Sequence, residues 1–138
     1  MGITIKHNTV EAERETYRLL IYCTAPPEIK NKALSINKLL ASKLIQLKPS
    51  RRTIKIEELF IDIISNLPER SIIEGIDVMF NPNYRIDVLR ILIEANKRHP
   101  FGLIWPGTID SDKLLYSDEA LPDYKTFAIS DYDIVCVV

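Results

Sequence analysis

The stretch Leu19-Leu20-Ile21-Tyr22-Cys23 decides the fold class, because it is apolar at every position and stops at Ala25-Pro26-Pro27. A strand buried on both faces of a parallel sheet has this unbroken pattern, whereas a strand with one solvated face alternates polar and apolar residues. The same reasoning predicts strands at Ile72-Ile73 and at Phe101-Gly102-Leu103-Ile104-Trp105. The run Ile134-Val135-Cys136-Val137-Val138 predicts a last strand that is internal or well covered.

Helical patterns separate these strands. Apolar residues at i, i+3, i+4, i+7 and i+8 predict a helix over residues 53–67, and shorter stripes predict helices over 39–47 and 85–97. Strands that alternate with helices form βαβ units. We therefore expect one domain over residues 1–138, with a mainly parallel sheet and helices on both faces.

Two weaker patterns complete the outline. Asn8 and Thr9 are N-cap types ahead of three glutamates, which predicts a short helix ending near Tyr17. Residues 114–116 and 127–129 predict short edge strands.

Composition excludes several classes of protein. Hydrophobic residues make up 46% of the 138 and charged residues 27%, as in ordinary globular proteins and unlike disordered chains. The 18 Lys and Arg against 19 Asp and Glu leave a net charge of −1, so no overall basic excess favours nucleic acid or anionic membranes. Apolar runs of five residues are too short to span a membrane, and the first nine residues lack an apolar signal core. A cytoplasmic protein is expected.

The cysteines and histidines carry no recognisable catalytic constellation. Cys23 and Cys136 each lie in an apolar run, which predicts two buried thiols and no metal cluster. His7 and His99 are far apart in polar surroundings, and surface positions are expected for both. Acyl-transfer and metal-hydrolase chemistry therefore have no support, and no metal site is predicted.

The residues after the first buried strand stand where a phosphate-binding loop would lie, because ligands of such sheets bind outside the carboxyl ends of the strands. Lys30 or Lys32 could point at a phosphate there. A phosphate loop, however, needs glycines and successive backbone N–H groups. No glycine occurs between residues 3 and 74, and Pro26 and Pro27 each lack an N–H donor. A working phosphate loop is not expected.

The second buried strand is followed by acids. Glu74 and Asp77 stand where a Walker B element would hold magnesium, although strand ends commonly carry a charged residue. Trp105 could stack on a base or a partner, or pack at the sheet edge with its indole N–H on a carbonyl. The pairs Arg51-Arg52 and Lys97-Arg98 could contact phosphate or a partner, or simply be solvated helix ends.

Beyond spacing, an ordered set of motifs resembles the small P-loop-containing F component of BREX (bacteriophage exclusion) defence systems. The family has an apolar strand, two acids and Leu-Phe-Asp/Asn-Pro, similar to residues 72–82 here. A "dPLrlL" helix is matched by residues 87–92, and a strand that ends in Trp-Pro-Gly by Trp105-Pro106-Gly107. A "LtYaepghPeY" stretch is similar to residues 115–124, and Tyr17-Arg18-Leu19-Leu20-Ile21 resembles the family's first strand.

The chain departs from that family at the phosphate loop. The family pattern Gly-Pro-Pro-Gly-x-Gly-Lys-Thr keeps only Pro26-Pro27 here. The chain can be aligned with the family in two registers. In the preferred one, residues 33–37 match the family's second strand, so most of the helix that follows the family's phosphate loop is missing here. The rival register keeps a helix from about Glu28 and equates Lys30 with the phosphate lysine.

The resemblance implies a three-layer P-loop NTPase-like domain that is a degenerate member of this family, without a phosphate loop and with no cofactor expected. Its partners would be larger defence proteins, such as an ATPase or methyltransferase; Trp105, Arg51 and Arg52 are the candidate contacts, and self-association stays open. The alternative is a weak ATPase that binds ATP and Mg²⁺ through Lys30, Glu74 and Asp77. A DNA-binding module using the two basic pairs is the last alternative, and direct DNA contact is not expected.

Overall fold

A computed structural model describes residues 2–7 and 18–138. Within them the chain forms nine strands, which follow in chain order: β1 (Ile3–Ile5), β2 (Leu19–Tyr22), β3 (Leu34–Ser35), β4 (Ser71–Glu74), β5 (Phe101–Ile104), β6 (Thr108–Asp110), β7 (Lys113–Tyr116), β8 (Lys125–Ala128) and β9 (Ile134–Val137). The four helices are α1 (Pro27–Lys30), α2 (Asn37–Ile45), α3 (Pro49–Ser65) and α4 (Val88–Arg98). Two 3-10 helices, Asp77–Phe80 and Ile129–Asp131, follow β4 and β8.

Six strands form one sheet in the order β1-β9-β2-β5-β4-β3, and every pairing in it is parallel. In its register Ile21 lies between Cys136 on one side and Leu103 on the other. The terminal strand β9 is therefore internal, which is one of the two arrangements that its unbroken apolar pattern predicted. The three-residue β1 covers its outer edge and was not predicted from the sequence.

The helices α2, α3 and α4 pack on one face of this sheet, where their apolar residues form a cluster with those of β2, β4, β5 and β9. The other face carries a smaller cluster that includes Leu20, Tyr22 and Val135, and α1 adds Ile29 to it. This arrangement follows from handedness, since β2 connects to β3 in the direction opposite to the connections that carry α2, α3 and α4. The predicted mixed α/β class with a parallel sheet is confirmed.

The helix boundaries differ from the predicted ones for local reasons. The long helix begins at Pro49 rather than Thr53, because proline suits the first helical turn. The last helix begins at Val88 rather than Arg85, because Arg85 has a positive φ of 52° and Asp87 caps the helix. The short helix predicted to end near Tyr17 lies outside the described residues.

The connection from β5 to β9 forms a second sheet, antiparallel, in the order β6-β7-β8. The prediction of two edge strands here was wrong in detail. Residues 114–116 belong to β7, which is the central strand, and β8 ends at Ala128 before a 3-10 helix begins. Leu114, Tyr116 and Phe127 point into the main core, so this sheet packs on the same face as α4.

None of the described helices combines the length and apolar character needed to cross a membrane.

Candidate functional site

The carboxyl end of β4 turns at Gly75, and this turn positions the acids Glu74 and Asp77. The φ of Gly75 is +71°, and a Cβ there would lie 2.6 Å from Ser35 Oγ on the neighbouring strand. Glycine is required because other residues rarely adopt this φ and because the space is already filled. The turn leads directly into the 3-10 helix that starts at Asp77.

The carboxylate of Asp77 accepts a hydrogen bond from the second sheet. Tyr116 Oη donates to Asp77 Oδ1 over 3.0 Å. Burial raises the pKa of Tyr116, and the hydrogen bond and charge of Asp77 raise that pKa further. Glu74 is half-buried, and its backbone carbonyl accepts from Ile36 N–H over 3.1 Å. Asp77 thus has a structural role that its sequence position did not indicate.

A groove of about 400 Å³ opens beside this turn, and we call it the α2 groove. Asn37 and Ala41 of α2 line it together with Asp77 and Asp123. Asn37 Oδ1 accepts a hydrogen bond from the N–H of Val78 over 3.1 Å, which ties α2 to the 3-10 helix. The remaining lining residues are Val78, Phe80, Asn81 and Pro82.

The segment after β2 differs from a phosphate loop in both length and hydrogen bonding. α1 has four residues, and β3 follows at once, in agreement with the register that places a strand within residues 33–37. The N–H groups of Ile29 and Lys30 both donate to the Pro26 carbonyl at 3.0 Å, and that of Asn31 donates to Pro27 at 2.9 Å. These amides are therefore engaged inside the turn.

Lys30, Glu74 and Asp77 lie along the same edge of the sheet, but within the described part of the chain no hydrogen bond or ion pair joins Lys30 to either acid. Strand β5 lies between β2 and β4, which separates their ends by two strand spacings, roughly 9–10 Å. Lys30 is exposed at the end of α1. Within residues 2–7 and 18–138, no cluster of three or more His, Cys, Asp or Glu is placed to hold a metal ion.

Trp105 is 4% exposed, so its ring offers almost no surface to a partner. Its indole N–H donates to the carbonyls of Leu115 at 2.9 Å and Thr108 at 3.1 Å. Its ring packs edge-on against Phe80 and Phe127, with centroids 5.8 and 5.9 Å away. The structure thus agrees with the alternative in which this ring packs at the sheet edge and its N–H finds a carbonyl.

The two basic pairs lie at opposite ends of the helix layer. Arg51 is exposed, whereas Arg52 Nε donates to the carbonyls of Leu44 and Leu47, which stabilises the end of α2. Both arginines belong to the first turn of α3. This turn lies near the start of α4, since Thr53 of α3 and Arg90 of α4 line the same pocket. Lys97 and Arg98 belong to the last turn of α4. The pairs do not form one basic surface.

Sequence reasoning missed several residues that organise this region. Asn37, Tyr116 and Tyr132 all act through hydrogen bonds to partners at least 39 positions away. Pairings of that kind leave no periodic signal. Of these three residues, only Tyr116 lies in a stretch that the sequence analysis singled out, the family-like motif over residues 115–124.

Comparison of the chain with protein-family models, with curated proteins and with solved structures finds no match.

Proposed function

We propose that this chain is a cytoplasmic, non-catalytic accessory component of a BREX-type phage-defence complex, which acts through protein–protein contacts on a degenerate P-loop NTPase-like scaffold. The proposal that the chain is non-catalytic is supported by the hydrogen bonds of the backbone amides after β2. In a phosphate loop successive amides point at phosphate oxygens, whereas here the amides of Ile29, Lys30 and Asn31 donate to the carbonyls of Pro26 and Pro27. A nucleotide would have to break these bonds before it could be held.

The motifs behind the family resemblance also support a structural role. Phe80, Trp105 and Tyr116 come from three separate motifs, and their rings meet in one cluster. Asp87 belongs to the helix motif over residues 87–92, and its side chain caps α4 by accepting from the N–H of Arg90. Motif residues that pack and cap, and that leave no reactive group pointing at a ligand, fit a scaffold that presents surfaces to other proteins.

The test is phage protection in a host that carries a complete BREX-type system with this chain. Deleting the chain is expected to abolish protection, while Lys30→Ala and Glu74→Gln are expected to leave it unchanged. The chain should also co-elute with a larger component of the system when the components are co-expressed. Protection that survives the deletion, or a chain that elutes apart from every component, would contradict the proposal.

The ATPase alternative makes the opposite prediction for the same two variants, because Lys30 and Glu74 would then hold nucleotide and magnesium. It also predicts a higher melting temperature with millimolar ATP and Mg²⁺. Ligand at about 100 times its Kd would add roughly 2.7 kcal/mol to the free energy of unfolding. A shift that disappears in Lys30→Ala would replace our proposal with the ATPase alternative.

A further inference from the structure

Charge is strongly segregated along this chain, which the net charge of −1 conceals. Residues 29–56 contain no Asp or Glu, and the remainder of the chain contains all 19 acids with the other ten bases. The eight bases of this segment are Lys30, Lys32, Lys38, Lys43, Lys48, Arg51, Arg52 and Lys55. This segment thus carries a charge of +8, and the rest of the chain carries a charge of −9.

In the structure, α2 and the first two turns of α3 carry most of these bases on one face of the main sheet, and they form a basic surface with apolar residues on it. The end of α1 belongs to the same segment but lies on the other face. Among the exposed lysines and arginines of the basic surface, Leu39, Ile45 and Ile54 are 47%, 72% and 77% exposed. Large apolar side chains at such exposure favour a partner that brings apolar groups as well as negative charge.

The acidic counterpart is the surface of the loop over residues 117–124, which joins β7 to β8 and contains Asp118, Glu119 and Asp123 but no Lys or Arg. The loop over residues 117–124 presents Asp118 and Glu119, both exposed, beside Leu121, which is 53% exposed.

The basic and acidic surfaces adjoin at the α2 groove. Asn37 and Ala41 of the basic α2 line it together with the carboxylates of Asp77 and Asp123. Ser117 Oγ donates to Asp123 Oδ1 over 2.6 Å, which fixes the acidic loop at this position. One patch therefore has a positive half and a negative half.

A patch with two opposite halves is complementary to itself under a twofold rotation, which places the positive half of each copy on the negative half of the other. Twofold interfaces are self-complementary in this way, and they are the commonest in soluble oligomers. We propose that a second copy of this chain docks across the α2 groove, with α2 of each copy facing the acidic loop at residues 117–124 of the other. The apolar contact beside the charges comes from Leu121 and from Ile45, which continues the row of Asn37 and Ala41 along α2 at four-residue spacing.

A nucleic acid fits this patch less well. Its phosphates would gain from the lysines of α2, but they would also meet Asp77 and Asp123 in the groove and Glu119 nearby. Exposed isoleucines at positions 45 and 54 would gain nothing from phosphate. This proposal goes beyond the proposed function and is tested on the isolated chain, so either can fail alone.

Sedimentation velocity over a concentration series at low salt measures the association directly. A species of twice 15.9 kDa is expected, and its Kd should rise as salt screens the charges. Lys38→Glu and Glu119→Lys should each raise the Kd by about tenfold or more, because each places like charges opposite one another. An equimolar mixture of the two variants should restore association, since every reversed charge then faces a reversed partner.

The matched controls are Arg98→Glu and Glu69→Lys, which reverse exposed charges at the amino-terminal edge of the sheet. They should leave the Kd unchanged, and circular dichroism should show all four variants folded. A wild-type chain that stays at 15.9 kDa throughout would overturn the proposal. So would a dimer indifferent to salt and to both variants, or a monomer that binds duplex DNA through Lys38.

Discussion

At the residue scale, the two cysteines form a contact that their separation in sequence hides. Cys136 lies opposite Ile21 in the sheet register, and Cys23, just after β2, packs against the cluster that contains both of them. The side-chain interaction between the two thiols lowers the pKa of Cys23, and the same interaction together with burial raises the pKa of Cys136. The prediction of a buried thiol is confirmed for Cys136, whereas Cys23 is half-buried.

This asymmetry predicts unequal reactivity, since the thiolate is the nucleophile. Iodoacetamide should modify Cys23 in the native protein, and Cys136 only after unfolding. Cys136→Ala removes the side chain that lowers the pKa of Cys23, so the pH profile of Cys23 alkylation should move to higher pH. Cys136→Ser keeps a polar hydrogen at this position and should shift the profile less. Mass spectrometry of timed samples measures both rates, and equal native rates would refute the prediction.

At the element scale, α4 is anchored at its start by one carboxylate. Asp87 Oδ1 accepts from the Arg90 N–H at 3.3 Å, and Asp87 Oδ2 accepts from Tyr132 Oη at 2.9 Å. Burial and this hydrogen bond raise the pKa of Tyr132 to about 12. The tie connects the first turn of α4 to the segment just before β9, so it joins two parts of the chain that no local pattern connects.

A raised tyrosine pKa has a definite consequence for stability against pH. The neutral phenol is favoured in the folded state, so this contribution is fully present below the ordinary pKa of about 10. It is lost as the pH rises from there to about 12. Tyr132→Phe should therefore lose less stability than the wild type over this interval, as measured by urea unfolding. Below this pH interval, the variant should be less stable than the wild type by about 0.5–1.5 kcal/mol, because it lacks the hydrogen bond to Asp87.

The comparison variant is Asp87→Asn, which keeps an acceptor oxygen but removes the negative charge. In this variant the folded-state pKa of Tyr132 should lie closer to its ordinary value, because the phenolate is no longer repelled, so the loss of stability at alkaline pH should be smaller than in the wild type. Parallel curves for the wild type and Tyr132→Phe would show that Tyr132 does not contribute.

At the scale of the whole molecule, an aromatic cluster joins the parallel sheet to the antiparallel one. Phe80 follows β4, Trp105 follows β5, and Tyr116 and Phe127 come from the second sheet. Phe80 stacks on Tyr116 with centroids 3.8 Å apart and lies edge-on to Trp105 and Phe127. Because its ring touches both sheets, Phe80 couples their stabilities.

Phe80→Ala should consequently destabilise the chain by about 3–5 kcal/mol, since it removes a fully buried ring and leaves a cavity. Phe80→Leu refills much of that volume and should cost less. Urea unfolding followed by both tryptophan fluorescence and far-UV circular dichroism measures the loss. A loss below about 1 kcal/mol would contradict the prediction.

The elements were predictable where burial imposes a period on the sequence. The helix α3 carries such a period, and the strands at Ile72 and Ile134 carry the unbroken apolar runs of strands buried on both faces; all three are confirmed. The three-residue β1 is half exposed and too short to show either pattern. The candidate site was predictable in part: Glu74 ends β4 and Asp77 follows it, but the partner of Asp77 is Tyr116 rather than Lys30.

The sequence by itself determined the parallel α/β class and the lack of glycines after β2, because apolar periodicity and residue type are local properties of the chain. Only the tertiary structure decided that α1 uses its amides internally, that Trp105 is buried, and that the acidic loop adjoins α2. These features depend on pairings between distant segments. Such pairings are set by packing and by the three-dimensional path of the chain, and no local pattern encodes them.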